Sequence, residues 1–118
     1  MRLQAVALQG SPKDEDCDDL AHVFCWSDTG YFFSLAREPG ERVIEVIVLD
    51  QINSRTRDIS ATLSSGKLLV KIPTAIAAKL DGNTEYEILF EASPEQLNML
   101  HSSLAAIFDQ VGKYEKDF

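Results

Sequence analysis

Apolar residues recur every three or four positions near the end of this chain and every second position over much of the rest. Ser93 can cap a helix, Pro94 suits its first turn, and Gln96 completes a capping box. Gly112 fits the end of this helix. The apolar stripe between them consists of Leu97, Leu100, Leu104, Ile107, Phe108 and Val111. A helix with one apolar face must bury it, so we expect it to pack on a sheet.

Alternation of apolar and polar residues predicts strands before this helix. The turn residues 10–12 should end the first strand, and segments 13–19 and 50–55 are polar enough to be loops. A short helix that begins with proline is expected over residues 73–80. The predicted strands cover residues 2–9, 20–26, 31–37, 43–49, 59–63, 68–72 and 86–90. We therefore expect an α+β fold with a mainly antiparallel sheet of about seven strands, one long C-terminal helix and one short helix.

The size and charge of the chain limit its class. Its 118 residues fit a single domain over 1–118, and 45% hydrophobic with 25% charged residues is ordinary for a globular protein. Eleven Lys and Arg against nineteen Asp and Glu leave a net charge of -8. This excess argues against a nucleic-acid partner, because a phosphate backbone requires a basic surface. It fits solubility alone or attraction to a basic protein.

We expect neither a targeting segment for export nor a membrane-spanning segment. Residues 1–9 carry one positive charge and only a short apolar run, so we expect no signal peptide. No stretch approaches the roughly 18 apolar residues of a membrane helix. Cys17 and Cys25 are the only cysteines and form no disulfide framework. These features together predict a cytoplasmic protein with free thiols and no membrane partner.

Five acids stand within six residues: Asp14, Glu15, Asp16, Asp18 and Asp19. The alternate spacing of three of them is typical of a calcium-binding loop. That motif is incomplete, because Asp19 occupies the position of its glycine and Cys25 the position of its glutamate. The run is therefore interpreted either as a solvated loop or as an acidic patch that binds a partner.

Other candidate chemistry is equally incomplete. Cys17, His22 and Cys25 lack a fourth zinc ligand at motif spacing, so we expect no metal and no cofactor. No nucleophile elbow, phosphate-binding loop or dinucleotide fingerprint is present, so an enzyme is not indicated. Trp26, the single tryptophan, could anchor an interface or be half-buried beside a turn.

Several short segments, taken in order, resemble a known family. They are F-F-S-L-A-R (32–37), D-Q-I-N (50–53), L-L-V-K-I (68–72), P-T-A-I-A-A-K-L (73–80), Y-E-I-L-F (86–90), S-P-E-Q-L-N-M-L (93–100) and A-A-I-F (105–108). Their order is similar to that in immunity protein family ten of bacterial polymorphic toxin systems. The chain departs from the family after Asn53, where residues 55–58 replace a usual Gly-Gly segment.

The resemblance implies an immunity-protein-like domain, a cytoplasmic antidote that binds and blocks a cognate toxin without catalysis. A toxin that acts on nucleic acid presents a basic surface, which acids could meet. Two groups of contact residues are candidates: the acidic run Asp14, Glu15, Asp16, Asp18 and Asp19 with Trp26, and the polar segment Asp50, Gln51, Asn53 and Arg55. The alternative function is a small-molecule-binding or regulatory module without catalytic activity, which should show a concave apolar pocket with converging polar groups.

Overall fold

The computed structural model describes residues 1–49 and 51–118. These residues form a mixed α+β fold with nine strands, two helices and a 3₁₀ turn at Glu15–Cys17. No helix in them is long and apolar enough to cross a membrane. The strands are β1 Arg2–Asp14, β2 Leu20–Ser27, β3 Phe32–Arg37, β4 Ile44–Val48, β5 Ile52–Thr56, β6 Ser60–Ser64, β7 Lys67–Lys71, β8 Glu85–Leu89 and β9 Lys113–Asp117. The helices are α1 Thr74–Ala77 and α2 Pro94–Ile107.

All strands of the described residues belong to one sheet in the order β5-β4-β3-β2-β1-β8-β7-β6-β9. Neighbouring strands are antiparallel except in the pairs β1 with β8 and β6 with β9. The first residues of β1 pair with β8, and those from Ala5 onward pair with β2. The expected α+β class, largely antiparallel sheet, long helix and short helix are confirmed. The expected number of about seven strands is too low.

The sheet curves until its two halves enclose one apolar core. The rings of Phe33 on β3 and Tyr86 on β8 lie 4.6 Å apart between their centroids. Helix α2 packs on β1, β2, β3 and β9 and covers the open side. Its stripe is buried as predicted, with Leu104 and Ile107 fully inaccessible and Phe108 nearly so. Burial of this stripe supplies the main attraction between helix and sheet.

The start of α2 follows its local sequence, but its end does not. The Ser93 hydroxyl accepts a hydrogen bond from the Gln96 amide at 3.2 Å, and the Gln96 side chain accepts one from the Ser93 amide at 2.9 Å. The helix ends at Ile107 rather than near Val111. A left-handed backbone at Gln110 (φ 60°) turns the chain toward β9, yet Val111 remains buried.

Strand β1 runs to Asp14, so the prediction that it stops before Gly10 is wrong, and the loop predicted over 13–19 is confined to residues 15–19. Gly10 is needed here because α2 crosses β1 closely: a Cβ at this position would lie 2.8 Å from Ser103 Oγ. Pro12 falls in a register shift between Ser11 and Asp14, where the ladder is already irregular. The glycine and proline mark a close approach and a bulge instead of a strand end.

The prediction of a loop over residues 50–55 is also wrong, because β5 begins at Ile52 and pairs antiparallel with β4. Strand β9, for which the sequence predicted nothing, runs parallel to β6. Both strands lie at the ends of the sheet and are mostly polar, so the alternation that marks a half-buried strand is weak in them. Asp50 lies outside the described residues.

Candidate functional site

The outer surface of β2, β3 and β4, turned away from the core, carries an unusual number of apolar side chains. Val23 and Cys25 of β2 are buried in the core, so the side chains that alternate with them point outward. We call this surface the outer face; it consists of His22, Phe24, Trp26, Phe32, Ser34, Ala36, Glu45 and Ile47, paired across the strands. Strands β2 and β3 are therefore apolar on both sides.

Aromatic rings form a row along the outer face. The ring of Phe24 lies 6.1 Å from that of His22 and 6.5 Å from that of Phe32, measured between centroids. The rings of Trp26 and Phe32 are 4.8 Å apart. Trp26 is 42% exposed, which is high for the largest apolar side chain of the protein. The row presents ring surface to solvent without a covering element in the described residues.

Small residues on β3 open a groove beside this row. Ser34 pairs with Phe24 on β2 and with Ile47 on β4, and Ala36 pairs with His22 and Glu45. The larger neighbours flank the two small side chains and leave Ser34 7% and Ala36 6% exposed. The resulting depression has a volume of about 360 Å³, is lined mainly by apolar atoms, and is open to solvent along its length.

The acidic run extends from the last residue of β1 to the start of β2. The Asp14 carboxylate lies 2.9 Å from His22 Nε2 and accepts a hydrogen bond from the Asp16 amide at 3.1 Å. The hydrogen bond from His22 lowers the pKa of Asp14, against a smaller effect of burial. Asp18 and Asp19 adopt left-handed backbone conformations and are exposed. Asp14 thus brings negative charge to the His22 end of the groove, whereas Asp19 lines a separate depression with Arg37 and Asp109.

Strand β5 extends the outer face on the other side. Asn53 pairs with Ile47 and Arg55 with Glu45, so both side chains share the side of the sheet that carries the groove. Arg55 Nε lies 3.6 Å from Glu45 Oε2, a partly exposed ion pair. Gln51 is exposed in the β4–β5 turn. Asn53 and Arg55 of the polar segment therefore lie on the same side of the sheet as Trp26.

The structure separates some predicted residues and adds others. Trp26 lies near the end of β2, about 20 Å along the strand from the acidic run at its start. The groove is also lined by three residues that the sequence did not single out: Phe24, Phe32 and Ile47. The signal for them was present, because β2 and β3 carry large apolar residues at successive positions rather than at alternate ones.

The three zinc-ligand candidates from the sequence are not brought together. Cys25 points into the core whereas His22 points outward, so these two cannot share a metal ion with Cys17. The described residues contain no group of three potential metal ligands. The negative charge of Asp14 raises the pKa of the exposed Cys17 thiol, with a smaller contribution from desolvation. A thiol in this state is a poor nucleophile at neutral pH.

A second polar cluster lies between the two halves of the sheet. The hydroxyl groups of Tyr31 and Tyr86 both donate hydrogen bonds to the Asp81 carboxylate, the latter at 2.6 Å. Burial raises the pKa of Asp81, but the two phenol donors outweigh it and leave the pKa below its ordinary value. Burial raises the pKa of both tyrosines, so they remain neutral donors. This arrangement joins the segment after α1 to β3 and β8.

No protein-family model, curated protein or solved structure matches this chain.

Proposed function

We propose that this protein is an antidote of the immunity-protein type, which binds a cognate bacterial toxin through its outer face and blocks it. The observation that supports this proposal most strongly is the row of exposed Trp26 and half-buried Phe24 and Phe32 beside an open groove. Soluble proteins rarely expose large contiguous apolar patches, and those that they do expose often bind a partner. Aromatic side chains are also enriched where proteins contact one another.

The shape of the surface favours a protein over a small molecule. A small-molecule site buries most of its ligand in a concave pocket with a few converging polar groups. The groove on the outer face is open along its length, and its aromatic wall stands out from the sheet. Such a surface can pack against a complementary partner, but it would leave much of a free small ligand in water.

The charge around the outer face favours a basic partner. The protein has a net charge of -8, and the acidic run lies just before β2, where Asp14 contacts His22 of the outer face. Charges on the rim of an interface chiefly increase the association rate and add specificity. A toxin with a basic surface would therefore be attracted to this side of the molecule before the apolar contacts form.

The geometry around Asp14 supports a role without catalysis. A cysteine nucleophile is activated by a neighbouring histidine that a third group orients. Here Asp14 lies between the other two groups, contacting His22 at 2.9 Å while its charge raises the pKa of the Cys17 thiol. The thiol is therefore held protonated instead of being activated.

Co-expression tests the proposed function directly. The chain should be produced with the toxin domain encoded beside it, in cells that the toxin alone kills. We expect restored growth and a stable complex that elutes as one species in size-exclusion chromatography. Failure to protect the cells, together with no complex between the purified proteins, would refute the proposal.

The part played by the acidic run can be measured separately. Replacing Asp14, Glu15, Asp16, Asp18 and Asp19 with Asn or Gln should slow association with the toxin at low salt, and the difference should fade as salt increases. The matched control replaces five exposed acids elsewhere, which are Glu91, Glu95, Asp109, Glu115 and Asp117. An equal association rate for the two variants would show that only net charge matters and leave the Gln51 and Asn53 side as the better candidate.

A further inference from the structure

We propose that the groove on the outer face receives an arginine side chain of the partner, with its aliphatic part over Ser34 and Ala36 and its guanidinium beside Glu45. This inference rests on the proposed function, since it names the chemistry by which the same surface recognises a protein. It follows from three features of the groove: its floor of small side chains, its aromatic wall, and an excess of carboxylates at one end.

The floor and walls suit a long unbranched side chain. Ser34 and Ala36 are both buried and small, so they leave a channel along β3. Phe24 lies on one side of this channel and Ile47 on the other, directly opposite Ser34 in the strand pairing. Trp26 and Phe32 bound the channel at its far end with rings 4.8 Å apart. Methylene groups placed here would contact the floor and the two flanking side chains and be partly removed from water.

The opposite end of the channel is negatively charged. Ala36 and Glu45 line the groove and also a small recess next to it, where Glu38, Glu41 and Arg55 lie. The recess is thus lined by three carboxylates and one cation, Arg55, so its net charge is negative. Arg55 Nε approaches Glu45 Oε2 only to 3.6 Å, which leaves the carboxylate able to accept shorter hydrogen bonds from a second donor. A cation that enters along the channel would meet this excess charge.

The combination favours arginine over other side chains. The guanidinium can donate parallel hydrogen bonds to the Glu45 carboxylate while the aliphatic part lies along the Phe24 ring, which flanks Ser34. An apolar side chain would fill the floor but would strip water from Glu45 without replacing its hydrogen bonds. A lysine would place a compact, strongly hydrated charge against the aromatic wall. Arginine alone satisfies the floor, the wall and the carboxylates together.

A pair of peptides tests this inference without the toxin. The probes are the blocked tripeptide glycyl-arginyl-glycine amide and its citrulline analogue, which keeps the shape but lacks the charge. Binding is followed by amide chemical shifts in ¹⁵N-labelled protein and by fluorescence of the single tryptophan, Trp26. We expect the arginine peptide to bind about fivefold more tightly than the citrulline peptide, with shifts that map to β2, β3 and β4.

Three variants locate the effect. Ser34→Leu should abolish binding of both peptides, because the added side chain fills the channel. Glu45→Gln should leave the citrulline affinity unchanged and remove the preference for arginine. Glu87→Gln, whose carboxylate pairs with Arg2 on β1, is the matched control and should behave as wild type. Equal binding of the two peptides to wild type, or a preference for arginine that survives Glu45→Gln, would overturn the inference.

The outcomes also separate this inference from the proposed function. If a toxin complex forms and its dissociation constant is the same for wild type and Ser34→Leu, the groove does not take a partner side chain, although the protein is still an antidote. If the arginine peptide binds in the groove while no toxin complex forms, the proposed function is wrong and the groove serves another basic protein. Thermal unfolding of each variant shows whether it is folded. If Ser34→Leu does not fold, Glu45→Gln still tests the inference.

Discussion

Arg37 stabilises a helix end that lies 70 residues away along the chain. Its guanidinium donates to the backbone carbonyls of Ala106, Ile107 and Asp109, and its Nε donates to the Glu41 carbonyl at 2.8 Å. The last turn of α2 contains no basic residue of its own. A cation at this end satisfies exposed carbonyls and opposes the negative pole of the helix. Arg37 is therefore a positioning residue for the helix that covers the core.

Substitution of Arg37 tests this role. We expect Arg37→Gln to lower the free energy of unfolding by about 1 to 3 kcal/mol, because several carbonyl groups would lose a charged donor. Arg42→Gln is the control at an exposed position and should change stability by less than about 0.5 kcal/mol. Urea unfolding measures both. Equal stability of the two variants would show that the guanidinium does not hold the helix end.

Asp81 makes the stability of the fold depend on pH. Its pKa is below the ordinary value in the folded protein, so its contribution is present above the carboxyl pKa of the unfolded chain, about 4, and is lost as the pH falls through the folded value. We expect Asp81→Asn to be less stable than wild type at pH 6 and the difference to shrink below pH 4. Urea unfolding between pH 3 and pH 7 measures this. A difference that stays constant with pH would contradict the assignment of Tyr31 and Tyr86 as donors to a charged carboxylate.

At the scale of elements, the contact between α2 and β1 depends on one glycine. An added Cβ at Gly10 would lie 2.8 Å from Ser103 Oγ and 2.9 Å from the His22 carbonyl oxygen. Backbone atoms on one side of this contact cannot rotate away, so the helix or the strand would have to shift. Gly10 therefore sets the distance at which the helix covers the sheet.

The corresponding prediction is that Gly10→Ala destabilises the protein by about 1 to 3 kcal/mol through overpacking. Gly66→Ala is the matched control, since its Cβ would meet only the Phe90 carbonyl at an ordinary 3.5 Å. Thermal unfolding compares the two. If Gly10→Ala and Gly66→Ala had the same melting temperature, α2 would not approach β1 as closely as described.

Elements whose signals are local could be predicted from the sequence, and those that depend on distant contacts could not. The capping box at Ser93 and the apolar stripe of α2 are predictable because each depends only on residues close together in the sequence. The end of α2 was not, because Arg37 comes from another strand. Strand β5 was taken for a loop since pairing with β4, rather than its own polar sequence, makes it a strand.

At the scale of the whole molecule, the curved sheet divides its side chains between a core and an exposed apolar surface. Trp26, Asn53 and Arg55 were each selected from the sequence, but only the register of β2 to β5 shows that they share one face. Phe24 and Phe32 were missed because a core assignment accounts for an aromatic strand equally well. Register is set by long-range pairing, so no local pattern could have assembled this surface.

If the outer face binds the toxin as proposed, loss of its aromatic rings should raise the dissociation constant of the complex. Trp26→Ala and Phe32→Ala should each raise this constant about 30-fold, because central aromatic contacts contribute about 2 kcal/mol or more. Met99→Ala, at a 49% exposed position on α2, is the control and should change it less than about twofold. Calorimetric titration of the three variants against the purified toxin gives the values. Unchanged affinity for Trp26→Ala and Phe32→Ala, with both variants folded, would contradict the claim and place the toxin on another surface.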